Sequence, residues 1–201
     1  MDEHCGWVKA LATDGRWLFS CACNTLHQWD LMWTNPRHVG STKLFNGDIL
    51  DIAAGSGKVF SCGTDGAIHS WEISNQGGFQ KANSKEGAHQ GRVSSMALHK
   101  DMLYTVGFDG HLKVWDASSM DLLVDISGAH EGKRIRCVTM GPDGTLYTGG
   151  DDKMVRRWTP GSMRQKPPLY GHNGSVRVLS PGGRTALVSG DAEGHLLLWS
   201  V

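Results

Sequence analysis

Serine or threonine, histidine and aspartate recur together along the chain, and hydrolases assemble a nucleophile, a base and an orienting acid from these side-chain types. Two such groups follow one another at similar spacing: His89, Thr105 and Asp109, and then His130, Thr148 and Asp152. A catalytic site is needed only once in a protein, whereas these groups recur in equivalent positions. We therefore interpret them as a repeated structural network, and we predict no catalytic residue and no enzyme activity.

Metal-competent side chains gather near the start of the chain, namely His4, Cys5, Cys21, Cys23 and His27. Cys21 and Cys23 are two residues apart on a predicted strand, so they point to the same side of it. That spacing differs from the knuckle of a structural zinc site. Buried thiols are the simpler interpretation, and we predict no metal site.

The segment Gly55–Lys58 is similar to the end of a phosphate-binding loop. Ile52 and Val59 stand where that motif requires Gly and Ser or Thr, respectively. The segment is therefore predicted to be a turn between two strands, and no cofactor is expected.

Charge and hydropathy exclude several classes of protein. The 201 residues carry 20 basic and 20 acidic side chains, so no global field favours nucleic acid or an anionic membrane, and no specific nucleic-acid partner is expected. The start of the chain lacks the apolar core of a signal peptide, and no apolar run is long enough to span a membrane. The five cysteines are odd in number, and we interpret them as reduced thiols of a cytoplasmic or nuclear protein.

Tryptophan sets the organisation of the chain. Five of the eight tryptophans recur every 41 to 44 residues: Trp29, Trp71, Trp115, Trp158 and Trp199. A fixed period of this length is typical of repeat architectures with one small sheet per unit. The period predicts a single repeat region, 1–201, with units at approximately 1–45, 46–86, 87–127, 128–170 and 171–201.

The third unit shows what one period contains. Its alternating and turn-forming residues predict four strands, at Val93–Leu98, Met102–Val106, His111–Trp115 and Leu122–Ile126. Asp109-Gly110 is a tight-turn dipeptide that tolerates the positive φ of a type I′ hairpin. Four strands in one period leave no room for a helix, which predicts an all-β fold.

At this point the sequence resembles the WD-repeat (WD40) family over essentially its whole length. The resemblance implies a β-propeller of five four-stranded blades, the last lacking its outer strand. It also implies a buried hydrogen-bonded network in each blade, which here falls on His89, Thr105, Asp109 and Trp115; on His130, Thr148, Asp152 and Trp158; and on His172, Ser189, Glu193 and Trp199. Unit two lacks the histidine and unit one has Cys23 in place of the aspartate, so both are expected to be less rigid.

The ends of the chain leave three arrangements open. Unit five stops after Trp199-Ser200-Val201, and only residues 1–3 precede unit one, which is too short to supply an outer strand. Because open sheet edges are rarely tolerated, we favour a piece of a larger propeller, whose missing blades come from the same or another chain. A five-bladed ring and a ring closed by a second copy are the alternatives.

Propellers of this family commonly bind partners on the face that carries the loops before the first strand and the turns between the second and third strands. Two sets of residues are placed there by position: Trp7, Arg92, Arg134 and Ser175, and then Thr64, Phe108, Asp151 and Ala192. Trp7, Arg92, Phe108 and Arg134 are of the types enriched in binding hot spots, and an exposed Phe108 would be the most informative. We predict that these four residues, with Asp151, contact partners. Packing of Trp7 and Phe108 against neighbouring blades is the alternative.

Unit four carries the one local excess of charge. Residues 131–170 contain eight basic and four acidic side chains. A solvated strand face explains such residues, and docking of an acidic peptide, a phospholipid headgroup or a nucleic-acid phosphate is the alternative. Alternation along the strand aims Arg156 and Arg157 at opposite faces, which weakens the interpretation as a single patch.

These observations predict a non-catalytic scaffold that binds peptides or protein domains on the propeller face. The alternative is the regulatory portion of a larger enzyme or complex, such as a ubiquitin ligase, a lipid phosphatase or a motor, with or without phosphoinositide binding. Fold alone does not identify the partner, because one fold serves many partners.

Overall fold

The computed structural model describes residues 4–43, 46–74 and 77–201. All regular structure in these ranges is β-strand, without a helix, and it forms five antiparallel sheets. Residues 1–3, which bear on the expectation about an outer strand, lie outside the described residues. The predicted all-β fold is confirmed.

Each sheet is built from strands that are consecutive in the chain. The first sheet comprises β1 (Val8–Asp14), β2 (Trp17–Ala22), β3 (Thr25–Asp30) and β4 (Arg37–Lys43). The second comprises β5 (Ile49–Gly55), β6 (Lys58–Gly63), β7 (Ile68–Ile73) and β8 (Phe79–Lys85). The third comprises β9 (Val93–His99), β10 (Met102–Gly107), β11 (Leu112–Asp116) and β12 (Leu122–Ile126).

The last two sheets continue the series. The fourth comprises β13 (Ile135–Met140), β14 (Leu146–Gly150), β15 (Val155–Thr159) and β16 (Arg164–Leu169). The fifth has three strands in the described residues: β17 (Val176–Pro181), β18 (Ala186–Asp191) and β19 (Leu196–Ser200). The four strands predicted for unit three agree with β9 to β12 to within one residue.

The five sheets pack side by side through their first strands. Each first strand contacts the first strand of the next sheet, in the order β1, β5, β9, β13 and β17. Apolar clusters fill the space between neighbouring sheets, and the recurring tryptophans contribute to them. Trp115 packs with Phe60 and Ile68 of the preceding sheet, and Trp158 packs with Tyr104 and Val106 of its own preceding sheet. This arrangement is that of propeller blades around an axis, and the five sheets are called blades one to five from here on.

The turn at Asp109-Gly110 differs from the predicted type. Gly110 has a φ of 78°, but Asp109 does not have a positive φ, so the turn is not type I′. The amide of Gly110 instead donates to the carbonyl of Gly107 (3.3 Å), and the Asp109 carboxylate accepts from the amide of His111 (3.1 Å). This local side-chain bond favours a turn in which Gly110 alone takes the left-handed conformation. By contrast, Ser56 (φ 55°) and Gly57 (φ 75°) form the predicted two-residue turn between β5 and β6.

A buried carboxylate links three blades near the inner strands. Asp51 of β5 accepts hydrogen bonds from Ser95 Oγ (2.8 Å) and the Met96 amide (2.9 Å) of β9. Ser95 Oγ in turn accepts from the Val138 amide (3.3 Å) of β13. Burial raises the pKa of Asp51, although these hydrogen bonds act in the opposite direction. Polar bonds therefore connect blades two, three and four in addition to their apolar contacts.

Candidate protein-interaction site

Blades three and four each contain a complete buried network. In blade three, Trp115 Nε1 donates to Thr105 Oγ1 (2.9 Å), which lies 2.8 Å from His89 Nε2, and His89 Nδ1 lies 2.9 Å from Asp109 Oδ2. Blade four repeats the arrangement in Trp158, Thr148, His130 and Asp152, with distances of 2.9, 2.7 and 2.7 Å. The structure thus brings together the two sets that the sequence predicted in full.

The direction of these hydrogen bonds follows from the indole group, which can only donate. Thr105 Oγ1 accepts from Trp115, so its own hydrogen is free for His89 Nε2. The Asp109 carboxylate is ionised and can only accept, so His89 Nδ1 carries a proton and donates to it. Because Thr105 and Thr148 have no solvent-exposed surface, these hydroxyls are closed to a substrate and act within the fold.

The network holds its carboxylates in the ionised state. Burial alone would raise the pKa of Asp109, but hydrogen bonds from His89 and from the amides of His111 and Gln90 outweigh it, so the pKa lies below its usual value. The pKa of Asp152 is lowered in the same way, because bonds from His130 and Arg156 outweigh the effect of burial. These aspartates therefore contribute to the stability of the blades as anions.

Blade five departs from the prediction. Trp199 Nε1 donates to Ser189 Oγ (2.7 Å), and His172 Nε2 lies 2.6 Å from the same oxygen, but His172 Nδ1 lies 3.0 Å from Asp191 Oδ2. Glu193, the predicted acid, is exposed, and only its amide contacts Asp191. The prediction for Glu193 is therefore wrong, and Asp191 supplies the carboxylate.

Blades one and two have partial networks. Trp29 donates to Ser20 Oγ (2.7 Å), and His4 Nε2 lies 2.8 Å from that oxygen, while Cys23 stands in the acid position. In blade two, Trp71 donates to Ser61 Oγ at 3.1 Å. A cavity of about 610 Å³ lies beside this tryptophan and is also lined by Asp65, His69 and Phe79, among others. Both blades therefore lack one of the four groups that blades three and four contain.

The predicted partner face forms through one repeated backbone contact. In blades two to five, the residue before the turn Asp position donates its amide to the carbonyl of the residue just before the first strand. The pairs are Phe108 to Arg92 (3.1 Å), Asp151 to Arg134 (2.9 Å), Ala192 to Ser175 (3.0 Å) and Thr64 to Asp48 (3.0 Å). Three pairs therefore join the two sets of residues that the sequence placed on this face, whereas Thr64 pairs with Asp48, which was in neither set.

Phe108 is the centre of the most highly charged part of this face. Its ring is partly buried rather than fully exposed, because three guanidinium groups lie over it. The carbon atoms of these groups are 4.9 Å (Arg92), 5.1 Å (Arg134) and 4.7 Å (Arg136) from the ring centroid. Stacking of this kind stabilises a cation through the negative face of the ring. Arg92, Phe108, Arg134, Arg136 and Asp151 are named the Phe108 cluster from here on.

Only one of the three guanidinium groups in the Phe108 cluster has an anionic partner. Arg136 forms two bonds with the Asp151 carboxylate, at 2.7 and 3.0 Å, and this pairing is the main reason why the pKa of Asp151 lies below its usual value. Arg92 and Arg134 are exposed, and within the described residues they have neither an ion pair nor a side-chain hydrogen bond. Their charges are therefore available to a partner.

The cluster combines four of the five predicted contact residues with one that was missed. Arg136 was not among the predicted contacts, and it lies at an irregularity of β13 between Ile135 and Cys137. Asp151 belongs to the cluster as the partner of Arg136. Trp7 is not part of it: the Trp7 side chain is 83% exposed and has Lys9 Nζ at 5.2 Å from its ring centroid.

Two further basic residues of unit four, Arg156 and Arg157, do not extend the cluster. Arg156 is buried and paired with Asp152 (2.8 Å) and Glu131 (2.8 Å), whereas Arg157 donates to the carbonyl of Pro167 (2.7 Å). The two neighbouring arginines thus make separate contacts, as strand alternation predicted.

Across residues 4–43, 46–74 and 77–201, no three His, Cys, Asp or Glu side chains are arranged to hold a metal ion. The described part of the chain also contains no helix that is long and apolar enough to cross a membrane.

Blades of consecutive strands, a tryptophan-centred network and an axis lined by first strands define the class of WD-repeat β-propellers. Comparison with known families agrees. The family model "WD domain, G-beta repeat" matches residues 1–30, 83–116, 123–159 and 163–200, which is more than half of the chain. The chain belongs to the WD40 family, whose domains are generally non-catalytic scaffolds.

The chain is also similar to solved and curated proteins. The WD40 β-propeller domain of Doa1 superposes with a TM-score of 0.82 at 20% identity, covering 96% of this chain and 63% of that one, which shows the fold. The chain is 29% identical over 111 residues (50% of this chain) to the ribosome biogenesis protein YTM1 of Chaetomium globosum. It is 26% identical over 171 residues (76% of this chain) to a guanine nucleotide-binding protein subunit beta-like protein of Encephalitozoon cuniculi. The matches cover 23% and 49% of those two proteins.

Proposed function

We propose that this propeller is a non-catalytic scaffold that binds a peptide or protein domain through the Phe108 cluster. The observation that carries the proposal is the pair Arg92 and Arg134, two guanidinium groups stacked on one ring without an anionic partner. Arginine and aromatic side chains dominate the binding energy of protein interfaces, because they combine apolar contact with directional hydrogen bonds. The strands that begin at Val93 and Ile135 hold both arginines on a rigid support.

Affinity capture with mass spectrometry tests this proposal. The bait is the full chain, and the test variants are Phe108→Ala and Arg92→Ala. The matched controls are Leu123→Ala, an exposed apolar residue on β12, and Arg184→Ala, an exposed arginine in the connection between β17 and β18. We expect the same partners with the unchanged chain and both controls, and their loss from both test variants. Recovery of an unchanged set of partners with the test variants would contradict the proposal.

A second candidate is that the scaffold works as the regulatory or assembling portion of a larger protein or complex in the cytoplasm or nucleus. Two observations favour it. The match covers 6% of telomerase protein component 1 of Mus musculus, and the names of this relative and of the ribosome biogenesis relative both refer to assemblies. Capture of the subunits of one stable complex, in constant proportion, supports this candidate over a scaffold with interchangeable partners.

A further inference from the structure

We infer that the Phe108 cluster binds an acidic peptide segment in which two Asp or Glu residues are separated by one other residue. The inference rests on the proposed function, because it specifies the partner of the same surface. It starts from the charges: three guanidinium groups share one ring, and only Arg136 is neutralised. Like charges this close repel each other, so an anion that approaches Arg92 and Arg134 is stabilised by both.

The geometry favours carboxylates as that anion. A guanidinium group stacked on a ring presents its N–H edge outward, and that planar fork matches the two oxygens of a carboxylate. Both groups are held in place. Stacking fixes the side chains, and the Arg92 and Arg134 carbonyls accept from the amides of Phe108 and Asp151. Less conformational freedom is then lost on binding than with a mobile surface arginine.

The distances indicate the spacing of the two acidic residues. The guanidinium carbons of Arg92 and Arg134 lie 4.9 and 5.1 Å from one centroid, so they cannot be farther apart than the sum of these values. In an extended peptide, residues i and i+2 point to the same side, and their Cα atoms are roughly 6.6 Å apart. Adjacent acidic residues would point to opposite sides. An acidic–any–acidic segment therefore fits the two arginines best.

The surroundings of the Phe108 cluster disfavour nucleic acids and anionic membranes as its ligands. Guanidinium groups already cover the Phe108 ring, so no base can stack on it, as it would on a single-stranded nucleic-acid site. A membrane surface is recognised by larger groups of basic residues, roughly four to eight, whereas two arginines of this cluster are unpaired. The net charge of the whole chain is zero, so no long-range field compensates.

Fluorescence polarisation with short labelled Gly/Ser peptides tests the inference on the full chain. The probe carries Glu-Ser-Glu, and the comparison peptides carry Gln-Ser-Gln or Glu-Glu. We expect binding of the Glu-Ser-Glu peptide, at least roughly tenfold weaker binding of the Gln-Ser-Gln peptide, and intermediate binding of the Glu-Glu peptide. Added salt should weaken the interaction, because the groups are at the surface. Equal binding of all three peptides overturns the inference.

Variants locate the binding site. Arg92→Ala and Arg134→Ala should each weaken binding of the Glu-Ser-Glu peptide roughly tenfold, and Arg184→Ala should leave it unchanged. Arg92→Lys retains the charge and loses the fork, so it should fall between the unchanged chain and Arg92→Ala. Thermal unfolding followed by circular dichroism shows whether each variant is folded. If Arg184→Ala and Arg92→Ala reduced the affinity for the Glu-Ser-Glu peptide equally, the peptide would bind elsewhere and the inference would be overturned.

Other ligands give distinguishable outcomes. Tenfold tighter binding of a peptide with phosphoserine in place of each Glu would assign the surface to phosphopeptides. Arg92-dependent binding to phosphatidylserine vesicles or a single-stranded oligonucleotide, without peptide binding, would assign it to those polyanions. Either result overturns the carboxylate assignment. If partner capture requires Phe108 but no acidic peptide binds, the scaffold proposal stands and only this inference fails.

Discussion

Ser189 and Asp191 lie two residues apart on β18, so their side chains point to the same side of the sheet. The corresponding pair in blade three is Thr105 and Gly107. A Cβ at Gly107 would lie 2.7 Å from His89 Nδ1, which shows how close this position is to the imidazole. In blade five the position carries a carboxylate, which reaches the histidine directly. The turn acid is then not needed, and Glu193 turns to solvent.

The use of Asp191 in place of Glu193 gives the first prediction. Asp191→Ala removes the partner of His172 and should lower the urea midpoint of unfolding, because a buried imidazole N–H loses its acceptor. Glu193→Ala should leave the midpoint unchanged, because an exposed side chain without a side-chain partner is removed. Chemical denaturation followed by tryptophan fluorescence measures both. A larger effect from Glu193→Ala would show that the turn acid is the functional member of the network.

The second prediction concerns pH. The pKa values of Asp109 and Asp152 are lower in the folded state than their ordinary values, so the unfolded chain takes up more protons on acidification. Their contribution to stability is therefore complete at neutral pH and is lost as the pH falls below about 4, through the folded pKa values. Urea midpoints between about pH 7 and pH 3 should fall accordingly.

Asp152→Asn is the matched variant for this pH dependence. It should cost about 1–3 kcal/mol at neutral pH, because Asn binds His130 and Arg156 less strongly than a carboxylate does. Its midpoint should also change less with acidification than that of the unchanged chain. An identical slope in the two proteins would mean that other carboxylates control acid unfolding.

The sequence predicted only some residues of the Phe108 cluster, and the reason differs from one residue to the next. Arg92, Phe108 and Arg134 could be placed because they precede a recurring strand or turn. Arg136 could not be placed, because the repeat pattern does not single it out and the register of β13 shifts between Ile135 and Cys137. The half-burial of Phe108 could not be predicted, because it depends on guanidinium groups from two blades that lie far apart in sequence.

At the scale of single blades, the four-strand pattern could be predicted from local residues, but the type of the turn at Asp109-Gly110 could not. The strands of unit three were predictable because apolar residues alternate between tight-turn signals. Whether Asp109 takes a positive φ depends on the bonds from its carboxylate to His89 and to the amides around the turn. Those contacts form only when the loop before β9 is in place.

Differences between the networks give a prediction for the blades. Within the described residues of blade two, no histidine bonds to Ser61, since His69 contacts only Asp65 (3.4 Å), and a cavity lies beside Trp71. The inner hydrogen bonds of this blade should therefore open more readily than those of blade three. Hydrogen–deuterium exchange with peptide-level mass spectrometry should show faster exchange in β6 and β7 than in β10 and β11. His89→Ala should raise exchange in β10 and β11 towards the level of blade two. Equal protection of both blades in the unchanged chain would contradict this order.

At the scale of the whole molecule, the blades at the two ends of the row differ from the others. Each inner blade has a neighbouring blade on both sides, and its strands are buried against those neighbours. In blade five, Leu197 and Trp199 point towards blade four, and Leu196 and Leu198 point the other way. The latter two are 75% and 73% exposed, and β19 is an edge strand within the described residues. Exposed apolar side chains beside an unpaired strand edge favour association between molecules.

The 201-residue chain should therefore self-associate as its concentration rises, and the double substitution Leu196→Lys and Leu198→Lys should reduce this association. Lysine on an edge strand opposes pairing through its charge and its desolvation cost. The matched control is Leu122→Lys with Leu123→Lys, because these leucines are also exposed but lie on β12, the outer strand of a four-stranded blade. Light scattering over a concentration series measures the mass. A constant monomer mass, or an equal effect of the control, would show that the outer side of blade five does not drive association.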